Sequence, residues 1–515
     1  MRSDFHFPSC GITTRRHALV LAIDDALLPV KQNLCYYLSK PTVRQEPVLT
    51  PSAEHPNAPD HLAAHFYGTV LYEEGRYRMW YYACHLGRNP NWPAAFNRQL
   101  AKQTDELYTG PLCYAESDDG LTWRKTALGQ VCFKGSRENN ALALPYASVP
   151  GTAAVVRDDD DPDPRRRYKM LYTIIMGQSD PPFDGLIDMS TCAAAVSADG
   201  LTWEDAGVPY PLEFMEHASF YRHNGLFIVN AHTVDRCIPG EGGTPQGRQA
   251  MARFSPDFTT WVDGHVESFT LPEPRDPALR GCSGLYDQVH IGVGAASFGT
   301  ACVGLYGIWH NADFHHGFEQ ISCDLGLLIS NDGLRFREPV KGHVFLDRHD
   351  SPATPYPGVD YHTILCQANG ILNVGDETRI YHGRWRNSGY DWLRYGADVA
   401  LATLPRDRWG ALGLFPDADS GAVWSAPITL PDGGCTLTLN ADHADGMTVE
   451  VANTNFQLDP ACTGKGHGDG LDCPVTWARN PVLAHGSRTV RLKITMRKGI
   501  NAVPRLYAVN LMAVR

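Results

Sequence analysis

No stretch of this chain approaches the ~20 consecutive apolar residues that a membrane-spanning helix needs. Basic residues are in deficit, 45 Lys and Arg against 57 Asp and Glu, for a formal charge of −12. That balance argues against a nucleic-acid or anionic-membrane partner and favours neutral, sugar-like small molecules. The 14 cysteines include no CxxC pair, which argues against a zinc site. Cys113, Cys192, Cys302 and Cys323 lie inside strand patterns and read as buried free thiols. Helical periodicity is scarce, so helices are not expected to build the core.

What is present fits an all-β chain. At 515 residues it exceeds one ordinary core, predicting two domains, and a 43% apolar fraction is enough to fill them. Eleven Trp, 22 Tyr and 19 Phe with 48 Gly and 36 Pro suit short strands joined by many turns. At the N-terminus Arg15–Arg16 precede the apolar run Ala18–Ile23, which Asp24–Asp25 cut off before it reaches signal-peptide length. It is read as a strand, and cytoplasmic residence is the expectation, with export left open.

One phrase recurs five times with drift: CYAESDDGLTW (Cys113–Trp123), CAAAVSADGLTW (Cys192–Trp203), QAMARFSPDFTTW (Gln249–Trp261), DLGLLISNDGLRF (Asp324–Phe336) and DVALATLPRDRW (Asp398–Trp409). Each is a strand of small residues, a polar turn on Asp and often Gly, then an aromatic. Repetition at roughly 60 to 80 residues marks an array whose units cannot bury their faces alone. Five units of about four strands predict a five-bladed β-propeller over residues 1–412. Hairpins between the phrases supply the other strands, such as His217–Thr233 turning at Asn224–Gly225. The early segment His17–Leu27 is expected to complete the last blade and close the ring. After Trp409, short alternating strands predict a small C-terminal antiparallel β-sandwich over 413–515.

The phrase itself reads as structural: Asp and Ser in a tight turn bond nearby backbone, and Gly supplies a positive φ. Asp118, Asp119, Asp199 and Asp332 are therefore not taken as catalytic. The acidic run Asp158–Asp161 with Asp163 reads as a solvated hairpin turn whose charge Arg165–Arg167 offset, rather than a calcium site. His310 with His315–His316 has loose ligand-like spacing and reads as a wet loop. No cofactor and no catalytic metal are predicted; a structural calcium in the channel stays open.

In a propeller the first strand of each blade lines the channel. The acids at or just before those strands are Asp60, Glu138, Glu216, Asp287 and Asp360, and histidines crowd the same places: His61, His65, His217, His290 and His362. Glycosidic bond cleavage needs a proton donor and a base or nucleophile, which two carboxylates in different environments supply. Glu216, Asp60, Asp287 and Asp360 are the candidate catalytic residues. Glu138, His217, His65, His362, Tyr361 and Arg384 are the expected substrate-binding side chains. Tyr67, Trp92, Tyr146, Trp309 and Tyr361 are aromatics placed to stack on sugar rings.

The stretches Phe66–Ala83, Tyr114–Lys125, Arg166–Thr173, Leu328–Phe336 and Leu404–Leu412 resemble the five-bladed-propeller glycosidases, the superfamily of invertases, levansucrases, arabinanases and β-xylosidases. Within it the chain is most similar to a bacterial group described as glycosyl hydrolase family 32 N-terminal-domain-like. The resemblance implies a carbohydrate substrate, with Asp60 as base or nucleophile and Glu216 as general acid. No NDPNG-like stretch stands in blade one, Arg157–Asp158 enters a turn, and the invertase Glu-Cys pair is Glu216–His217 here. A glycoside hydrolase is the leading reading. A propeller phosphorylase, with Arg137, Arg222, His217, Arg384 and Arg386 about a phosphate, is the alternative, and a non-catalytic carbohydrate-binding propeller the third. The phrase also resembles the Asp-box of sialidases, whose arginine triad does not assemble from this sequence. Oligomeric state is not legible.

Overall fold

The computed structural model describes residues 3–86, 107–146, 148–175, 190–208, 212–213, 216–232, 248–271, 288–311, 318–388, 394–478, 480–484, 486 and 488–514. Among these the structure is all-β, with short 3-10 turns as its only helical segments. No helix among them is long and apolar enough to cross a membrane.

Five antiparallel meanders follow one another, each ending in a copy of the repeated phrase. They comprise Ala63–Glu73, Arg76–Leu86 and Leu107–Ser117; Ser148–Arg157, Tyr168–Ile175 and Ser190–Ser197; Glu216–His223, Leu226–His232 and Ala250–Ser255. Gln288–Ser297, Cys302–His310 and Ser322–Ser330 follow. In the fifth, a first strand broken into His362–Cys366 and Ile371–Val374 precedes Glu377–Asn387 and Gly396–Pro405. Ser322–Ser330 is buried at every position, as expected of a strand covered on both faces. Small and apolar residues on both sides of the pleat make that covering fit.

The first strands touch in the order one, two, three, four, five, one, and each loses its ladder midway. Register breaks between His65 and Thr69, Ser148 and Ala153, His217 and Ser219, and His290 and Val293. Such bulges free backbone groups that are costly to bury unpaired. Polar side chains from neighbouring meanders take them up. Thr69 Oγ1 accepts from Val155 N (2.9 Å), Thr152 Oγ1 from His217 N (2.9 Å) and Asn230 Oδ1 from Val293 N (2.8 Å). Gln367 Nε2 donates to the His290 and Gly292 carbonyls. Asn369 reaches furthest: its amide bonds Phe220 N, Phe220 O and Val155 O, while its backbone bonds Gly68 and Val70.

The repeated turn acts as a latch between meanders. Asp119 Oδ1 accepts from Leu121 N and Thr122 N, both at 2.8 Å, and Ser117 Oγ from Gly120 N at 2.9 Å. Asp199 and Asp332 repeat this geometry. Backbone donors hold the Asp119 and Asp257 carboxyls down at about 2. The turn carbonyls are gripped from the preceding meander: Tyr381 Oη donates to Gly120 O, Trp80 Nε1 to Gly200 O and Tyr221 Oη to Gly333 O. Those glycines sit at φ near 73°. The third copy places Phe258 there instead, at φ 68°. A left-handed non-glycine residue costs roughly 1–2 kcal/mol, and burying a Phe returns about 1.5–3 kcal/mol. Phe258 is fully buried against Phe220 and Phe227, so packing outweighs the strain. The fifth copy departs: Asp407 is buried and accepts from Asn373.

His17–Leu21 does not complete the last meander. It pairs with Arg505–Ala513, and it is Thr42–Val43 that adds to Gly396–Pro405. Its run is apolar on both faces because it separates two cores: Ala18 and Val20 pack with Leu437, Val449 and Ile494, whereas Leu19 and Leu21 pack with Leu305, Leu327 and Trp409. Other N-terminal strands also join the C-terminal ones: Asp4–Phe7 pairs with Ile428–Thr429, Val30–Gln32 with Ser420–Trp424, and Leu34–Leu38 with Gly410–Leu414. The strands within residues 4–38 thus share a sheet with the tail rather than with the meanders they precede. In that sheet Thr489–Arg497 alternates between half-buried and buried positions, as successive side chains on opposite faces do.

The acidic run is pinned rather than simply solvated. The buried Lys169 ammonium lies 2.7 Å from Asp158 and 2.8 Å from Asp161, and Arg222 pairs with Asp158.

Replacing Asn369 by Ala strands backbone groups of the second and third meanders at once. Urea unfolding is expected to show a loss of roughly 2–4 kcal/mol. A loss within the ~0.5 kcal/mol range of a surface substitution would remove Asn369 from that role.

Candidate active site

Glu216 opens the first strand of the third meander, and the hairpin sets it directly opposite His232. His232 is fully buried, with Nε2 3.2 Å from Glu216 Oε2 but out of hydrogen-bond alignment. Burial first, then the Arg248 charge, drives the His232 pKa well below its usual range, so the ring beside Glu216 is neutral at physiological pH. Arg248 Nη1 stands 3.9 Å from the same carboxylate, and its guanidinium lies over Trp309 at 4.4 Å. Its backbone is held by Gln288 Oε1 (2.9 Å) and by Val289 N (3.2 Å). About a third of the Glu216 side chain remains exposed.

From Trp309 a continuous wall of rings runs along the strand starts. His290 meets Trp309 edge-on at 3.8 Å, Tyr67 lies 6.2 Å from His290, and Tyr82 stacks between Tyr67 and His65 at 5.8 and 4.8 Å. His65 Nε2 bonds Tyr395 Oη at 2.6 Å. Cys366 Sγ donates to Tyr67 Oη at 2.9 Å, closing the floor with Ala218 and Ile291. The Glu216 charge reaches the Tyr67 and Tyr82 hydroxyls, whose pKa values rise well above 10, mainly through burial. Among the described residues, none is a hydrogen-bond partner for the buried His232 ring nitrogens, His290 Nδ1 or Trp309 Nε1. Such a concentration of unpaired polar atoms beside one accessible carboxylate is unusual in a closed core.

Of the side chains named from sequence, the structure brings together Glu216, His65, His290 and the aromatics Tyr67 and Trp309. Asp60 lies elsewhere. It is fully buried, its Oδ2 2.6 Å from Lys125 Nζ and 2.9 Å from Tyr81 Oη. Tyr81 and Tyr82 are consecutive, so alternation along the strand puts Asp60 and the ring wall on opposite faces. His217 is likewise turned from Glu216 into the core, with Nε2 at 3.0 Å from the Leu171 carbonyl. Arg384 is buried on Ser351 Oγ and the carbonyls of Arg44 and Gln45. Glu138, Asp360 and His362 are exposed, and Tyr361 Oη is tied to the Ala353 carbonyl. Arg137 and Arg386 bond backbone carbonyls. Arg222 is engaged by Asp158, so each of Arg137, Arg222, His217, Arg384 and Arg386 has a partner of its own among the described residues. Asp287, Trp92, His315 and His316 lie outside the described residues. Among the described residues no group of His, Cys, Asp and Glu is arranged to hold a metal ion.

Sequence reading missed His232, Arg248 and Tyr82. A signal existed for His232, since a hairpin turning at Asn224–Gly225 sets that position opposite Glu216. Arg248 carried none beyond standing just before the third phrase.

No family model matches the chain, and no curated protein does. Solved structures similar to it include a beta-fructofuranosidase of glycoside hydrolase family 32 from Bombyx mori, 10% identical over 92% of this chain and 94% of that one, TM-score 0.36. A glycosyl hydrolase from Bacteroides ovatus is 15% identical over 72% and 94%, TM-score 0.41. A beta-1,2-mannobiose phosphorylase from Listeria innocua is 12% identical over 72% and 97%, TM-score 0.40. The superfamily that the sequence resembles is represented among them. At TM-scores below 0.5 the likeness assigns no residue a role.

Burial lowers the pKa of His65 to about 3, against ~6.5 in an unfolded chain. Above pH 6.5 both states are neutral and the stability is whole. Between pH 6.5 and 3 the unfolded chain takes the proton first, so stability falls as pH falls, by up to about 1.4 kcal/mol per pH unit. His382, also held to about 3, adds to the slope. Thermal unfolding from pH 7 to 4 is expected to show a shallower decline for His65→Gln than for the parent. Equal declines would mean that the ring protonates within the fold.

Proposed function

We propose that this protein is a glycoside hydrolase whose general acid is Glu216, acting on an oligo- or polysaccharide at the mouth where the five first strands begin. The observation that carries the reading is the placement of Glu216, a partly exposed carboxylate facing a wall of tyrosine, tryptophan and neutral histidine rings. Aromatic faces suit sugar rings, and the unpaired His232, His290 and Trp309 atoms suit a hydroxyl-rich ligand.

The five meanders, touching in cyclic order, are read as the blades of a five-bladed β-propeller within residues 1–412. Residues 413–515 are read as a β-sandwich to which the N-terminal strands are added. Cleavage would begin with proton donation from Glu216 to the leaving oxygen while a second carboxylate acts as base or nucleophile. Asp287 is the proposed partner, because it precedes Gln288, the residue that holds Arg248 beside Glu216. Asp60, shielded by Tyr81 and Lys125, is assigned a structural part. A carboxylate separation of about 5 Å would give retention and one of ~6.5–9.5 Å inversion.

Phosphorolysis is the second reading, favoured by one observation: the Arg248 guanidinium stands 3.9 Å from Glu216, where it could meet an anionic nucleophile. Here a single acid suffices, with phosphate attacking the sugar carbon.

Turnover of an oligosaccharide and aryl-glycoside panel, with and without phosphate, separates the two. Hydrolysis is expected without phosphate and should fall at least about 100-fold in Glu216→Gln. Activity surviving in that variant would sink the assignment, and strict phosphate dependence would select the second reading. Asp60→Asn is expected to lower thermal stability rather than to mimic the Glu216 loss.

A further inference from the structure

A cleft of about 610 Å3 opens beside the ring wall, between residues 50–62 and 354–398. Tyr395 joins the two places: its hydroxyl bonds His65 in the wall, and its body lines the cleft. The cleft is built rather than incidental. Arg386 is fixed by three carbonyls, those of Thr354, Arg394 and Tyr395, and lies 5.1 Å from the ring centre of Tyr356. Tyr356 is 42% exposed, an aromatic face held by the guanidinium yet left open to solvent. Asp398, 2% exposed, also lines the cleft. Its Oδ2 accepts from Thr354, and its buried Oδ1 has no hydrogen-bond partner among the described residues. Glu54 and His61 complete the polar lining.

We infer that this cleft is a saccharide-binding subsite, holding a neutral sugar unit of the substrate remote from the bond at Glu216. Tyr356 offers a stacking face, and Asp398, Glu54 and His61 offer hydroxyl partners. The volume fits a small-molecule site. Charge selects a neutral unit over an acidic one. Arg386 directs its donors to backbone carbonyls, while Glu54 and Asp398 would oppose a sugar carboxylate. The same wall separates and links the two places, so a chain of sugars bound at Glu216 would extend over Tyr395. This inference rests on the glycosidase reading and names the form of its substrate: an oligosaccharide rather than a single glycoside.

The test compares Tyr356→Ala and Asp398→Asn with the parent, after thermal unfolding has shown which variants fold. Tyr356 is exposed, so its variant keeps the proposal falsifiable should Asp398→Asn fail to fold. For a sugar that the protein turns over, the ratio of kcat/KM on the tetrasaccharide to kcat/KM on the aryl monoglycoside is expected to fall at least tenfold in Tyr356→Ala. An unchanged ratio overturns the subsite and leaves the glycosidase reading standing. In parallel, Glu216→Gln protein is applied to an array of neutral oligosaccharides, alone and combined with Tyr356→Ala. Retention weakened at least tenfold by the second substitution supports the subsite. Equal retention, or none on any glycan, overturns it. Absence of turnover with Tyr356-dependent retention would instead discard the glycosidase reading and keep the cleft as a sugar site.

Discussion

The structure depends on satisfying the backbone where its first strands converge. Each of those strands bulges or breaks in its middle, leaving amides and carbonyls that water does not reach. The repair is made by side chains from other meanders: Thr69 for the second, Thr152 and Asn369 for the third, Asn230 and Gln367 for the fourth. An unpaired buried amide costs about 1–3 kcal/mol, so these few bonds are comparable with a large part of a domain's ~5–15 kcal/mol net stability. They also fix geometry. A meander that rotates or slips loses a polar bond as well as apolar contact.

The candidate site follows from that constraint. The ladders shift register just inside the strand starts, and the pairs ahead of those shifts, Glu216 with His232, His65 with Tyr82 and Gln288 with Trp309, gather as one surface. Glu216, His65, Tyr67 and His290 all stand at or before a break. The wall they form is rigid, since its rings pack on one another and its histidines are buried neutral. Catalytic carboxylates work best when their surroundings do not rearrange during reaction. A wall of interlocked rings around a partly exposed Glu216 would meet that need for the acid proposed above.

The repeated phrase was legible as a turn, and the reason is local. Asp and Ser bond backbone within three residues, and Gly permits the left-handed step, so Asp119, Asp199 and Asp332 adopt one geometry. Its second role, as a grip for the preceding meander through Trp80, Tyr221 and Tyr381, was not legible, because those partners lie far away in sequence. The same division explains the site. Glu216 could be named from its position before a strand, and His232 could have been found by counting back from the hairpin turn. Asp60, equally acidic and equally placed, looked the same as Glu216. Only the facing of Tyr81 and Tyr82 separates them.

His17–Leu21 shows the limit most plainly. Its apolar run specified a doubly buried strand, but which strands would bury it was open, and it joins the tail between two cores instead of the last meander. By itself the sequence determined the all-β class, the repeating meanders, the latch turns and the shortlist of acids, because these follow from period-two patterning and bonds within a few residues. Tertiary structure alone decided which acid faces the ring wall, that Arg248 and Trp309 stand beside it, and where the N-terminal strands pair. Those outcomes depend on contacts between segments tens to hundreds of residues apart, whose geometry no local pattern encodes.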